Sequence, residues 1–254
     1  MKLTILGSGT TVPSIKRSAP AYLLEVAGKQ ILLDSGEGTK RRLMEAGKDP
    51  RYIDYFYYTH THIDHVAELP ALLWGFNWHD QPRTKVLEIF GPKGFKRFFK
   101  KMLAAFWPQF EEKAKYKVSI TELRNKQLEI GEFTLKTRSL DKPGNTLVKN
   151  SIGYRIEHGG KSFVYTGDVG YNKDVIKLAK KADLLLIESA KPTQEMDGHL
   201  TPQEAGKLAS EAKVKKVVLT HFYPVVERID IMAEARKTFN GEIVLAEDLM
   251  EIEI

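Results

Sequence analysis

The segment Thr59-His60-Thr61-His62-Ile63-Asp64-His65 puts three imidazoles and a carboxylate into six positions. It follows an apolar, aromatic run, residues 53–58, that reads as a strand. Imidazoles this dense at a strand end are the donor set of a transition-metal site. On an extended strand end His60 and His62, two residues apart, point the same way and share one ion. Asp64 and His65, past the turn, then aim at a second. The chain must therefore fold so that this strand ends where further ligands arrive from distant segments. Cysteine is absent from all 254 residues, which removes thiolate ligands, iron–sulfur clusters, disulfides and cysteine nucleophiles and leaves metal binding to His and carboxylate. Zinc is the expected ion, with manganese or iron also suited to these donors. Two ions about 3.5–4 Å apart clamp a phosphoryl group and activate water as hydroxide, so the chemistry expected is hydrolysis.

The surrounding pattern supplies the frame. Strand-like runs at 2–6, 21–26, 30–34 and 53–58 alternate with helical stretches at 39–46 and 66–74, the latter ended by Gly75. A strand at 86–90 precedes an amphipathic helix, 94–106, whose Phe95, Phe98, Phe99, Met102 and Phe106 recur at helical spacing. Strands at 118–123, 133–137, 152–157 and 161–166 follow. A helix (173–181), strand (184–187), helix (202–212), strand (216–219) and helix (226–239) complete the pattern. Both halves run strands first and helices after, which fits two sheets packed face to face with helices outside both, a four-layer αββα sandwich of the α/β (α+β) class. No linker or repeat interrupts it, so residues 1–254 are read as one domain. Six residues before the first glycine make no signal core, and no apolar run approaches the length of a membrane span, so a cytoplasmic protein is expected. Lys and Arg number 39 against 33 Asp and Glu, which favours an anionic substrate without the density of a polyanion-wrapping tail.

Taken together, Leu6-Gly7-Ser8-Gly9-Thr10 with Pro13 and Arg17, Leu32-Leu33-Asp34-Ser35-Gly36-Glu37-Gly38-Thr39 and the His60–His65 cluster resemble the metallo-β-lactamase superfamily, in particular ribonuclease Z and its relatives. Gly7-Ser8-Gly9 alone would suggest a dinucleotide loop, but Val12 and Pro13 stand where its helix should open. Three later motifs match the same family. Asp168, in Tyr165-Thr166-Gly167-Asp168, is implied to bridge both metals, and His221, in Thr220-His221-Phe222-Tyr223-Pro224, to join Asp64, His65 and Asp168 on the second ion. His199 precedes a helix start with Thr201 as N-cap, Pro202 at the first position and Glu204 at the third; the resemblance makes it not a ligand but a group serving the leaving oxygen or the transition-state charge. Asp64 is expected both to ligate and to orient the nucleophile. Asp34, ending an apolar strand, is expected to accept a hydrogen bond from a ligand His or its loop. His79 and His158 fit no metal motif, and His158-Gly159-Gly160 reads as a hairpin turn.

Two departures qualify the resemblance. The family supplies another His to the first ion from a loop that here spans residues 141–150 and contains none. Spacing puts the missing ligand near Asn145 or Leu147, and Asn145 offers only a weak carbonyl ligand, so the first site is expected to be the weaker. Ribonuclease Z also carries a long arm that grips transfer RNA, where this chain has only Glu157-His158-Gly159-Gly160-Lys161-Ser162. The expectation is a metal-dependent hydrolase of a phosphodiester or RNA-type anion, with a homodimer implied by the resemblance alone. The rival is a metal-poor, non-catalytic nucleic-acid-binding protein of the same fold, holding its ligand on Lys93, Lys96, Arg97, Lys100 and Lys101.

Overall fold

The computed structural model describes residues 1–141, 150–193 and 198–254. In chain order the elements are β1 (Lys2–Gly7), β2 (Ala21–Val26), β3 (Lys29–Leu33), α1 (Thr39–Glu45), β4 (Tyr55–Tyr57), α2 (Ile63–Val66), α3 (Leu69–Trp78), β5 (Leu87–Pro92), α4 (Phe95–Phe106), α5 (Phe110–Lys113) and β6 (Val118–Leu123). The second half contains β7 (Lys126–Ile130), β8 (Phe133–Ser139), β9 (Ile152–His158), β10 (Lys161–Tyr165), α6 (Lys173–Leu178), β11 (Leu184–Glu188), α7 (Pro202–Glu211), β12 (Lys216–Thr220), α8 (Ile231–Arg236), β13 (Glu242–Leu245) and β14 (Glu251–Glu253). Among the described residues these strands form two seven-stranded sheets, β14-β1-β2-β3-β4-β5-β6 and β13-β12-β11-β10-β9-β8-β7.

Each sheet is antiparallel over one part and parallel over the other: β3 through β6 run parallel in the first, β10 through β13 in the second. Strand alternation explains why helices cover the outside. Leu24, Ile31, Leu33 and Tyr57 face a core shared with Leu135, Tyr154 and Phe163 of the second sheet, while Leu23, Leu32, Phe56 and Tyr58 face α1, α3 and α4. The expected αββα order is what forms.

Polar side chains tie the sheets together at one end. Tyr154 donates its hydroxyl to the Tyr58 carbonyl at 2.7 Å, Tyr22 pairs with Thr220 at 3.0 Å, and the Ile152 amide donates to the Thr59 carbonyl at 3.0 Å. These ties lie where the parallel strands of both sheets end, the position at which α/β sheets collect their ligands.

Several boundaries differ from the sequence expectation. Only Tyr55–Tyr57 of the run 53–58 is a strand, so His60 and His62 sit in a connection rather than on a strand end, and His62 is the N-cap of α2. The helix expected to stop at Gly75 runs through it to Trp78, because α3 packs Leu72, Leu73 and Phe76 inward and Gly75 faces open space. The helix expected over 226–239 is broken: a 3-10 turn at Val226–Arg228 precedes α8, whose start is fixed by Asp230 accepting from the Ala233 amide. The strands β7, β13 and β14 had no periodic signal strong enough to be read, being short or mostly exposed.

Candidate metal centre

Asp34 anchors the site. It follows β3 with φ at 54°, a left-handed conformation that costs a non-glycine residue on the order of 1–3 kcal/mol. The turn aims its buried carboxylate at four donors: the Thr59 amide (2.8 Å), the Thr59 hydroxyl (2.8 Å), His65 Nδ1 (2.8 Å) and the Tyr165 hydroxyl (2.7 Å). The carboxylate only accepts, so His65 carries its proton on Nδ1 and presents Nε2 as a lone pair. The Thr59 hydroxyl spends its hydrogen on Asp34 and must accept from His60 Nδ1, 3.0 Å away, so His60 also presents Nε2. Asp34 was expected to orient one ligand His or its loop; through Thr59 it sets two.

Asp168 reaches the same place from β10. Gly167, at φ 61°, makes the turn, and a Cβ there would lie 2.4 Å from the Thr59 hydroxyl, so only glycine lets the two loops meet. The Asp168 Oδ1 lies 3.1 Å from His65 Nε2 and 3.2 Å from His221 Nε2, while Oδ2 lies 3.7 Å from His60 Nε2. Asp64 Oδ2 lies 3.4 Å from His221 Nε2 and 3.9 Å from His65 Nε2. His221 follows β12 with a second left-handed backbone, φ 60°, which swings its ring away from the strand direction.

The donors fall into two groups. His60, His62 and Asp168 could hold one ion and Asp64, His65 and His221 another, with the two Asp168 oxygens facing one group each. His60 Nε2, His65 Nε2, Asp168 Oδ1 and both ring nitrogens of His221 are buried without a hydrogen-bond partner among the described residues. Orphaned buried polar atoms are costly. Ligands at 2.0–2.1 Å in a tetrahedral zinc shell stand about 3.3 Å apart, close to the separations here, so the residues fit a pair of divalent cations.

The electrostatics show carboxylates that call for positive charge: burial lowers the basicity of His65, but Asp168 and Asp34 outweigh it and push the ring well above its usual range, so without a cation a proton would sit where the ion belongs. Burial, helped by the neighbouring His65, pushes the His60 imidazole well below its usual range and keeps it a neutral donor. Burial raises the carboxyls of Asp168 and Asp64, but the surrounding imidazoles outweigh it: Asp168 is held well below the usual carboxylate range, and Asp64, beside His221 and His65, falls to about 2.

His199 stands beside this group. Its ring stacks against that of His221 at 5.6 Å, and one of its nitrogens lies within 4.8 Å of donor atoms on Asp168 and His221. Nδ1 is held by the Glu188 carboxylate at 3.0 and 3.1 Å, which leaves Nε2 for the site. Burial lowers its basicity, but Glu188 and the site carboxylates raise it to about 9. The expected capping box is present, with the Thr201 hydroxyl accepting from the Glu204 amide and Glu204 accepting from the Thr201 amide.

Glu188 was missed by sequence reasoning. It ends the strand Leu184–Glu188, is buried, and also accepts from the Val169 and Leu200 amides. A lone carboxylate at the end of an apolar strand was its signal, the same one that marked Asp34. His158 takes part in the expected hairpin, where Gly159 and Gly160 turn β9 into β10, and His79 bonds to Arg51; neither enters the metal groups. Asn145 and Leu147 lie outside the described residues.

A family signature described as a β-lactamase superfamily domain matches residues 29–222, the span that contains every one of these site residues. The chain belongs to this superfamily, in its ribonuclease Z-like branch. Ribonuclease Z of Archaeoglobus fulgidus is 27% identical over 307 aligned residues, covering 100% of this chain and 97% of its own. That of Mycobacterium sp. strain KMS is 30% identical over 281, covering 100% and 96%. The crystal structure of the short form of human tRNase Z superposes with a TM-score of 0.79 at 28% identity, covering 100% of this chain and 99% of that one. This superfamily member is a metal-dependent hydrolase with a divalent-metal site. Among the described residues no helix is long and apolar enough to cross a membrane.

Proposed function

We propose that this hydrolase, working as one domain, cleaves a phosphodiester in RNA or an RNA-like anion, with two zinc ions held by His60, His62 and Asp168 and by Asp64, His65, Asp168 and His221. The observation that carries the reading is the Asp168 carboxylate, whose two oxygens face different imidazole groups at 3.1–3.7 Å. Ions bound there supply Lewis acidity for the phosphoryl oxygens and lower the pKa of water.

The chain's own groups do the rest. Asp64 accepts a hydrogen bond from the attacking water and so orients it. His199 Nε2 gives a proton to the departing oxygen, and Glu188 acts as a positioning residue that holds Nδ1 and stabilises the protonated ring. The two-residue turn between β9 and β10, where the resemblance would place the RNA-gripping arm, supports a smaller phosphodiester or an RNA gripped elsewhere. The first site is the weaker, since the stretch 141–150 brings no third imidazole.

The orphaned donor set weighs against a metal-poor binding protein, because such a protein would bury those atoms at a cost with nothing in return. Elemental analysis beside an aryl phosphodiester assay with added zinc, manganese or iron tests the reading. His221→Ala and Asp64→Ala should each empty the second site. Wild-type metal content in both variants would overturn the ligand assignment.

A further inference from the structure

All three tryptophans of the chain gather on one face. Trp74 packs against Trp107 and Trp78 at ring distances of 4.9 and 5.7 Å, yet Trp74 and Trp78 stay 47% and 60% exposed, and neighbouring Phe106 67%. With Lys40, Ala67 and Leu103, residues Trp74, Phe106 and Trp107 line a groove of about 500 Å³ between α3 and α4. Water-exposed aromatics of this size are unfavourable unless something stacks on them.

The groove is not isolated. Ala67 lines it and also a cleft of about 320 Å³ into which Asp64, Arg17, Arg41 and Arg42 open. The two cavities therefore meet at Ala67, which would let one strand run from Asp64, past the arginines, onto the aromatics. The groove's α4 wall continues as a basic stripe: Lys96, Lys100 and Leu103 recur at i, i+4 and i+7, one side of the helix, and Trp107 follows as its C-cap. Lys40, Lys96 and Lys100 are exposed and make no ion pair among the described residues. The charge is also concentrated here. Between Arg83 and Lys126 stand twelve Lys and Arg against four Glu, whereas the remainder of the chain carries 27 against 29 acidic residues. Aromatic faces beside unpaired cations are what a single nucleic-acid strand requires, bases stacking on the rings and phosphates meeting the lysines.

We infer that the groove between α3 and α4 is a single-stranded RNA track, which stacks bases of the substrate's flanking strand on Trp74 and Phe106 and holds its phosphates on Lys40, Lys96 and Lys100. This rests on the phosphodiesterase reading above, and it assigns the grip that the short β9–β10 turn does not provide.

The test is titration of the full protein with a hydrolysis-resistant phosphorothioate oligouridylate of about twelve nucleotides, a length within reach of such tracks. Because Trp74 and Trp107 line the groove and the third tryptophan, Trp78, packs against Trp74, binding should quench intrinsic fluorescence. Phe106→Ala should weaken binding roughly 5- to 150-fold, the loss of one stacked base. Lys96→Ala with Lys100→Ala should weaken it and lower the salt dependence, the log–log slope falling by about 1.4. Binding without quenching, or binding indifferent to these changes, overturns the inference. So does sedimentation in which Phe106→Ala turns a dimer into a monomer, since a second copy would then cover the groove. Hydrolysis of an aryl phosphodiester without oligouridylate binding would sink the track alone. Quenching that responds to the variants, without hydrolysis under any added metal, would sustain the track and sink the enzymatic reading.

Discussion

Asp34→Asn is the perturbation that isolates the support of the metal centre without touching a proposed ligand. Asparagine keeps the size of aspartate and tolerates the left-handed backbone at this position. It cannot accept from four donors. Oδ2 receives the Thr59 hydroxyl, His65 and Tyr165, and Oδ1 the Thr59 amide. An amide carbonyl at Oδ2 leaves its NH2 against the Thr59 N–H; the opposite flip sets NH2 against three donors. At least one charge-assisted bond, about 1.5–3 kcal/mol, becomes a donor–donor contact, and the others lose their charge. We expect about 2–4 kcal/mol of destabilisation, a fall in Tm of roughly 4–16 °C at this chain length, measured with chelator present so that metal does not contribute. His65 and, through Thr59, His60 also lose the bond that fixes their tautomer. Metal affinity, read by competition with a chromophoric chelator, should fall about 10- to 100-fold. Thr59→Val separates the two routes, because it cuts the relay to His60 and spares the His65 bond, so it should weaken one ion more than the other. Unchanged affinity and Tm in Asp34→Asn would refute the argument that this carboxylate organises the donors.

His199→Ala should lower turnover about a hundredfold or more with metal content intact, as expected for loss of a proton donor, and lost metal would instead make His199 a ligand. Glu188→Gln keeps a carbonyl for His199 Nδ1 but removes the charge and turns its NH2 against the Val169 or Leu200 N–H, so kcat should fall with KM little changed and Tm should drop; an equal loss of kcat in Glu188→Gln and His199→Ala would show the pair acting as a unit. Asn145→His, or Leu147→His if the register is two residues later, should raise occupancy of the first site and the basal rate without added metal. Full two-metal occupancy in the unaltered protein as purified would remove the weak-site idea.

The sequence determined the candidate donor set, because a metal needs particular atoms and few other roles gather His60, His62, Asp64 and His65 so closely. It also determined the αββα order, since apolar period and glycine turns are local properties that survive in one dimension. Asp34 was legible as a carboxylate closing an apolar strand, and the capped helix after His199 from Thr201, Pro202 and Glu204. Which atoms meet was decided only in three dimensions. That Asp34 governs two imidazoles depends on Thr59 accepting with an oxygen whose hydrogen is already committed, a fact of hydrogen-bond direction that no spacing encodes. Glu188 sits eleven residues before His199, and Tyr165 131 residues after Asp34, so their pairing follows from how the two sheets face each other. The aromatic groove was invisible for the same reason: Phe106 read as part of the apolar face of its helix and Trp74 only as the end of another, until packing left both facing water. Local chemistry is written along the chain, whereas a site assembled from the ends of strands β4, β10, β11 and β12 exists only once the sheets have closed on each other.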